Sequence, residues 1–265
     1  MNFLFKKIIR PGLIVLMLLP VVPGFLIAQT ESDTADSISG QTEMADADAQ
    51  KIFAAAVEAA GGKAAFHDLK NFKIKTHSKI YQPQMTIELD VTEISELPDR
   101  TKQIMELPAG KRVQVLNGIS GWKQLGGKVD DLTSAEKREI RRGLLKSTFY
   151  LFKHFDDPNL KVTFLGEETR NRQKYLSIQV KDITGDFVNL SINATSYLVE
   201  RKIYQGASAA GLATLMESYS DYRKVDGIMI PFHTEVRANG KKFIDSVVTE
   251  AQINLSLRKD FFNRN

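Results

Sequence analysis

"TLMESYSDYRKVDGIMIPFHTEVRANGKKFIDSVVTEAQI" (214–253) decides the fold. Apolar and polar residues alternate along it. In 228–240, Ile228, Ile230, Phe232, Thr234 and Val236 point one way, and Met229, Pro231, His233 and Glu235 the other. A period of two is the signature of a strand with one buried face. Asp226-Gly227 is an ordinary hairpin turn between 214–227 and 228–240, and 242–253 supplies a third strand.

The same pattern spreads outward through the chain. Near-alternating segments occupy 72–81, 85–95, 100–107, 111–118 and 120–126, then 161–170, 174–182, 187–195 and 197–205, with Pro, Gly, Asn or Asp between them. In 174–182 the apolar set is Leu176, Ile178 and Val180. Short connections make neighbouring strands antiparallel, so the expectation is one long meander and not a series of βαβ units. A large meander curls, and its apolar side becomes concave. The expected class is therefore mainly β (α+β): a strongly curved antiparallel incomplete barrel with helices covering its concave side.

Helices are few. Residues 46–62 carry a stripe of Ile52, Phe53, Ala56, Val57 and Ala60 and end at Gly61-Gly62, and "KAAFHDL" (63–69) adds about two turns. The third helix is expected over 133–155. Thr133 and Glu136 form a capping box at its start, and "LLKSTFYLFKHF" (144–155) forms its apolar end. On a helical wheel Leu144, Leu145, Phe149, Leu151, Phe152 and Phe155 share about half the circumference, opposite Lys146, Lys153 and His154. Gly143 separates this end from the basic "EKREIRR" and is a candidate hinge. Such a helix either completes a solid core or closes a cavity that a ligand fills.

The N-terminus reads as an address. Lys6, Lys7 and Arg10 precede "LIVLMLLPVVPGFLIA" (13–28), an apolar run broken by Pro20, Pro23 and Gly24 and too short for a spanning helix of ~20 residues. The expectation is a secretory signal over 1–28, cleaved after Ala28, and an exported, periplasmic protein. Residues 29–48 hold six acidic and no basic side chains and read as a disordered acidic linker before a domain spanning 49–265. The chain is +4 overall; without the signal's three basic residues and the linker's six acids, the domain carries about +7. Its Lys and Arg are scattered through strands, as on solvated sheet faces, with an anionic lipid or membrane surface as the second reading; nucleic acid is not an expected partner.

Catalytic motifs are sparse. His67, His77, His154 and His233 are far apart in sequence, none sits in a metal-binding pair, and the chain contains no cysteine. "GISGW" and "GASAAG" miss the spacing of a nucleophile elbow, and 206–211 reads as a loop. The Asn189, Asn193 and Asn254 glycosylation-type triplets fall in or beside strands. No enzyme activity, metal or cofactor is expected.

The tail 218–262 resembles the C-terminal half of the periplasmic outer-membrane lipoprotein-sorting (lipoprotein carrier) superfamily. The matching residues are Asp221, Tyr222, Arg223, Val225, Asp226, Gly227, Pro231, Phe232 and Asp260-Phe261-Phe262; "AAGGKAAFHDLKNFKIK" and "NGISGW" also resemble it. The resemblance implies a half-barrel whose helices lie as a lid over an apolar cavity for acyl chains, with an arginine tying lid to barrel, for which Arg100 and Arg112 are candidates. It implies a carrier of lipid or lipoprotein acyl chains, or an envelope sensor using the same cavity, with envelope membrane proteins as candidate partners. The expected lipid-binding residues are Leu144, Leu145, Phe149, Phe152, Phe155, Ile230 and Phe232.

Overall fold

A computed structural model describes residues 39–107, 110–208 and 211–264. The expected signal and the first part of the acidic segment lie outside these residues. Among the described residues thirteen strands form one antiparallel sheet. They are β1 (Asn71–Gln82), β2 (Met85–Glu96), β3 (Arg100–Leu107), β4 (Gly110–Asn117), β5 (Ser120–Leu125), β6 (Lys128–Asp131) and β7 (Lys161–Arg170). The second half continues with β8 (Gln173–Lys181), β9 (Phe187–Asn193), β10 (Val199–Ser208), β11 (Gly211–Val225), β12 (Ile228–Ala238) and β13 (Lys241–Ile253). Only the short β6 lacked a counterpart in the alternation.

The order β6-β5-β4-β3-β2-β1-β13-β12-β11-β10-β9-β8-β7 makes two meanders joined where the first strand pairs with the last. The sheet is curved and does not close into a barrel, as expected, and β6 and β7 are left as its two edges. Register shifts at Lys75/Thr76, Val199/Arg201, Val236/Arg237 and Phe164/Gly166 accompany the bending, since an extra residue in one strand increases local twist. The β11–β12 turn has positive φ at Asp226 (46°) and Gly227 (92°), the primed geometry of a two-residue hairpin.

Among the described residues four helices accompany the sheet: α1 (Ser39–Ala59), α2 (Lys63–His67), α3 (Ser134–Leu145) and α4 (Thr148–Lys153). Two differ from the sequence expectation. First, α1 begins at Ser39, well ahead of Asp46, so the second half of the acidic segment is helical. Once Ala49, Phe53, Ala56 and Val57 dock in the core, extending the helix outward fixes few dihedrals per added hydrogen bond. Second, the helix expected over 133–155 is two helices. The capping box at Thr133/Glu136 is present, but the chain breaks at Lys146–Ser147, where Ser147 Oγ accepts the Tyr150 amide (3.2 Å) and caps a new helix. The break is not at Gly143, which sits within α3.

The main core lies between α1, α2 and α4 and the inner face of the sheet. Phe53, Phe66, Leu151 and Phe152 pack there with Ile178, Leu190, Ile192, Ile228 and Ile230. Gly61 lets α1 end directly on the β11–β12 hairpin: its φ is +142°, and a Cβ there would stand 2.7 Å from the Gly227 carbonyl oxygen. Beside it the Met229 amide donates to Ala60 O (2.7 Å).

The opposite face of β2–β5 is covered by the chain's own tail. Phe261 and Phe262 pack with Leu257 against Ile94, Ile104, Val113, Val115 and Trp122, and Trp122 Nε1 donates to Phe262 O (3.3 Å).

Candidate functional site

The helical segment α3–α4 connects β6 to β7, the two open edges. It therefore spans the mouth of the curled sheet. Beneath α3 lies a cavity of about 920 Å³, large for a small-molecule site, which typically measures ~300–1,000 Å³. Its roof includes Ala135, Glu139, Ile140, Gly143 and Leu144 of α3; its walls come from β2–β4 on one side and β10–β11 on the other.

The floor is polar at inward positions where an alternating sheet would carry apolar residues. Glu93, Gln103 and Gln114 are cross-strand neighbours on β2, β3 and β4, and all three line the cavity. Across from them Lys202 and Glu217 pair on β10 and β11, with Nζ 3.2 Å from Oε2 and the two side chains 8% and 16% exposed. Tyr204 donates to Glu217 Oε1 (2.6 Å), Tyr219 donates to Oε2, and Lys202 also donates to Lys146 O (3.2 Å). The polar belt continues outside the cavity, where Ser78 Oγ lies 2.8 Å from Ser246 Oγ.

The two carboxyls shift in opposite directions. Burial pushes Glu217 up, but the Lys202 charge and the hydrogen bonds from Tyr204, Tyr219 and Lys202 outweigh it, and the group sits below its ordinary value of 4.5. Burial also pushes Glu93 up, and there it wins: the Ser95 hydrogen bond and the more distant Lys202 do not offset it, and Glu217 adds repulsion. Tyr204 and Tyr219 are pushed far up, by burial first and then by Glu217, and remain neutral donors.

The sequence-predicted residues divide between two places. Leu144 lines the large cavity. Leu145 lines a separate cavity of about 250 Å³ with Tyr150, Leu160 and Val180. Phe152 is buried edge-on to Phe53 (5.9 Å) and Phe66 (5.3 Å). Phe149 stacks on Phe72 at 4.2 Å, and Phe155 packs at the core margin with Lys63 over its ring. Ile230 and Phe232 belong to the same core on β12. Lys153, expected on the solvent side, donates to the carbonyls of His67 (2.8 Å) and Leu69 (2.9 Å) and pins the end of α2.

Arg100 donates to Glu96 (2.8 Å) and Arg112 to Gln114 (3.1 Å). Arg142, which no motif singled out, ties α3 to the β8–β9 turn: Nε and Nη2 reach the two Asp186 oxygens at 2.7 and 3.2 Å. The Lys202–Glu217 pair was also missed; the register that sets Ser208 opposite Gly211, inside the segment expected to be a loop, places those two positions opposite each other.

One constellation has the look of catalysis. On the outer face Ser220 Oγ lies 2.9 Å from His233 Nδ1, and His233 Nε2 lies 3.0 Å from Asp245 Oδ1. Asp245 also takes a 2.5 Å bond from Lys242, which holds it below its ordinary value. Ser220 is exposed, beside a ladder irregularity at Asp221, whose φ is +53°. Among the described residues no group of three or more His, Asp or Glu could hold a metal ion, and no helix is long and apolar enough to cross a membrane.

No family model and no curated protein matches the chain. Solved structures do. A LolA superfamily protein from Nitrosomonas europaea superposes with a TM-score of 0.56 at 13% identity, over 82% of this chain and 97% of that one. The two chains share a fold. A DUF1329 family protein from Desulfovibrio piger gives 0.57 at 10% identity, over 83% and 97%. A domain from Vibrio parahaemolyticus described as an outer membrane lipoprotein-sorting protein gives 0.50 at 12%, over 78% and 95%. At such identities the likeness is one of fold, and function has to be argued from the site.

Proposed function

We propose that this protein is a periplasmic carrier that shields the acyl chain of a lipid or lipoprotein in the cavity under α3. The observation that carries the reading is the position of that cavity: a volume of about 920 Å³ roofed by the segment that bridges the two open sheet edges. Ile140, Leu144 and Leu215 give it an apolar side. About ten methylenes at ~0.8 kcal/mol each amount to ~8 kcal/mol before costs, or roughly micromolar affinity. That strength suits capture followed by release. The expected export, with cleavage after Ala28 and entry into the periplasm, belongs to the same reading.

Native mass spectrometry of the protein purified from its own envelope tests it. The expected spectrum contains a bound lipid-sized mass lost on mild activation, on a chain beginning near Gln29. A ligand-free chain that also fails to take up any dodecyl amphiphile would overturn the proposal. In this reading Leu144 meets the ligand, and Phe149, Phe152, Phe155, Ile230 and Phe232, which belong to the core, support the roof.

A further inference from the structure

An acyl chain needs no polar floor. A polar group that an apolar ligand covers loses its water at a cost in free energy unless the ligand satisfies it, and this floor is only partly satisfied from within. The Lys202–Glu217 side is closed: Glu217 accepts from two tyrosines and Lys202, and Lys202 is occupied by Glu217 and Lys146 O. The β2–β4 side is open. Among the described residues the hydrogen bond to Glu93 is the one from Ser95 to Oε1 (2.8 Å), which leaves Oε2 open on a residue that lines the cavity. Gln103, its cross-strand neighbour, lines the same wall. The roof adds Glu136, Glu139, Arg138, Arg142 and Lys146; Arg142 and Lys146 face Asp186, and on the floor Lys202 is spent on Glu217.

We infer that the carried amphiphile presents a cationic, hydrogen-bond-donating head, an ammonium group, to Glu93 Oε2 and the Gln103 amide oxygen, with its chain along Ile140, Leu144 and Leu215. This rests on the carrier reading and names its ligand class. An ammonium has three donors and no acceptor, so Glu93 and Gln103 can both bond it, and it supplies the charge that Glu93 lacks. A carboxylate or phosphate head on the floor would meet Glu93 and Glu217, with Lys202 already paired, and would find Arg138 only at the roof. Hydrogen bonds between ionised partners are roughly twice as strong as neutral ones, which makes the head the element that selects among chains of equal length.

The test is calorimetric titration of the full chain, below micelle concentrations, with three ligands of one chain length: dodecylammonium, dodecanoate and dodecyl maltoside. The amine is expected to bind roughly tenfold or more tightly than the acid, an advantage that Glu93→Gln removes. This comparison stands on the wild-type chain alone if the variant folds poorly. Equal or tighter binding of the acid overturns the inference while leaving the carrier reading intact, as does tighter binding of the maltoside. Binding of none of the three overturns the carrier reading and this inference with it.

Discussion

Lys202 Nζ lies 3.2 Å from Glu217 Oε2 across the β10–β11 ladder, with both side chains largely out of water. Removing one member of a buried pair strands the other, at a cost of ~3–5 kcal/mol, whereas an apolar replacement of both is far milder. Lys202→Met should lower stability by about 3 kcal/mol in urea unfolding, since Tyr204 and Tyr219 still serve Glu217. The Lys202→Met, Glu217→Gln double variant should recover part of that loss. A single-variant loss under about 1 kcal/mol would mean that solvent in the cavity already screens the pair.

The opposed shifts of Glu93 and Glu217 give a pH test with a definite sign. Glu217 titrates below 4.5, so its contribution is present above that value and fades as pH falls through the lower folded value. Glu93 titrates above 4.5, so the native state holds a proton the unfolded chain has lost, and stability declines as pH rises through the raised value. Glu93→Gln should therefore match wild type near pH 4 and become the more stable of the two at pH 7. Parallel stability curves at the two pH values would show that the ionised carboxylate is compensated.

Much of this fold was legible because the sheet is a meander. Consecutive strands pair, so alternation within 72–81 or 228–240 fixes both the elements and their neighbours, and the parity Ile228-Ile230-Phe232 did name the inner face. The break in 133–155 was harder to see. Ser147 caps a helix only because α4 turns to bury Leu151 and Phe152 against α1 and α2, and that tertiary gain overrides a continuous helical wheel. The cavity floor was hidden for a different reason. Glu93, Gln103 and Gln114 look like ordinary solvent-facing residues until cross-strand register places them in one inward row.

The aromatic stretch and the cavity should respond differently to truncation. Phe152 is 2% exposed between Phe53 and Phe66, so Phe152→Ala should cost ~3–5 kcal/mol. Its ring does not border the cavity, and the folded fraction should bind dodecylammonium as wild type does. Ile140→Ala, at a half-buried roof position, should cost less stability and weaken binding. Reversal of that order in calorimetry would move the ligand from the space under α3 into the aromatic core.

The last expectation concerns how the roof opens. Arg142 and Asp186 are joined by two hydrogen bonds, 2.7 and 3.2 Å, between the end of α3 and the β8–β9 turn. Lys146 adds a weaker contact to the same carboxylate at 3.9 Å. The Arg142 side chain is 48% exposed, so the pair contributes under about 1 kcal/mol to global stability. Its position matters more than that figure. It fastens the α3 end beside Gly143, where a Cβ would meet open space, and beside the Lys146–Ser147 break, so α3 can pivot there once the tie is cut. Asp186→Asn should leave the urea midpoint nearly unchanged while accelerating release of a bound dodecyl amphiphile several-fold in stopped-flow displacement. High salt, which screens exposed pairs, should reproduce the effect in wild type and not in the variant. A release rate indifferent to both changes would mean that the roof is held by its packing alone, and that exchange proceeds through the open edge between β6 and β7.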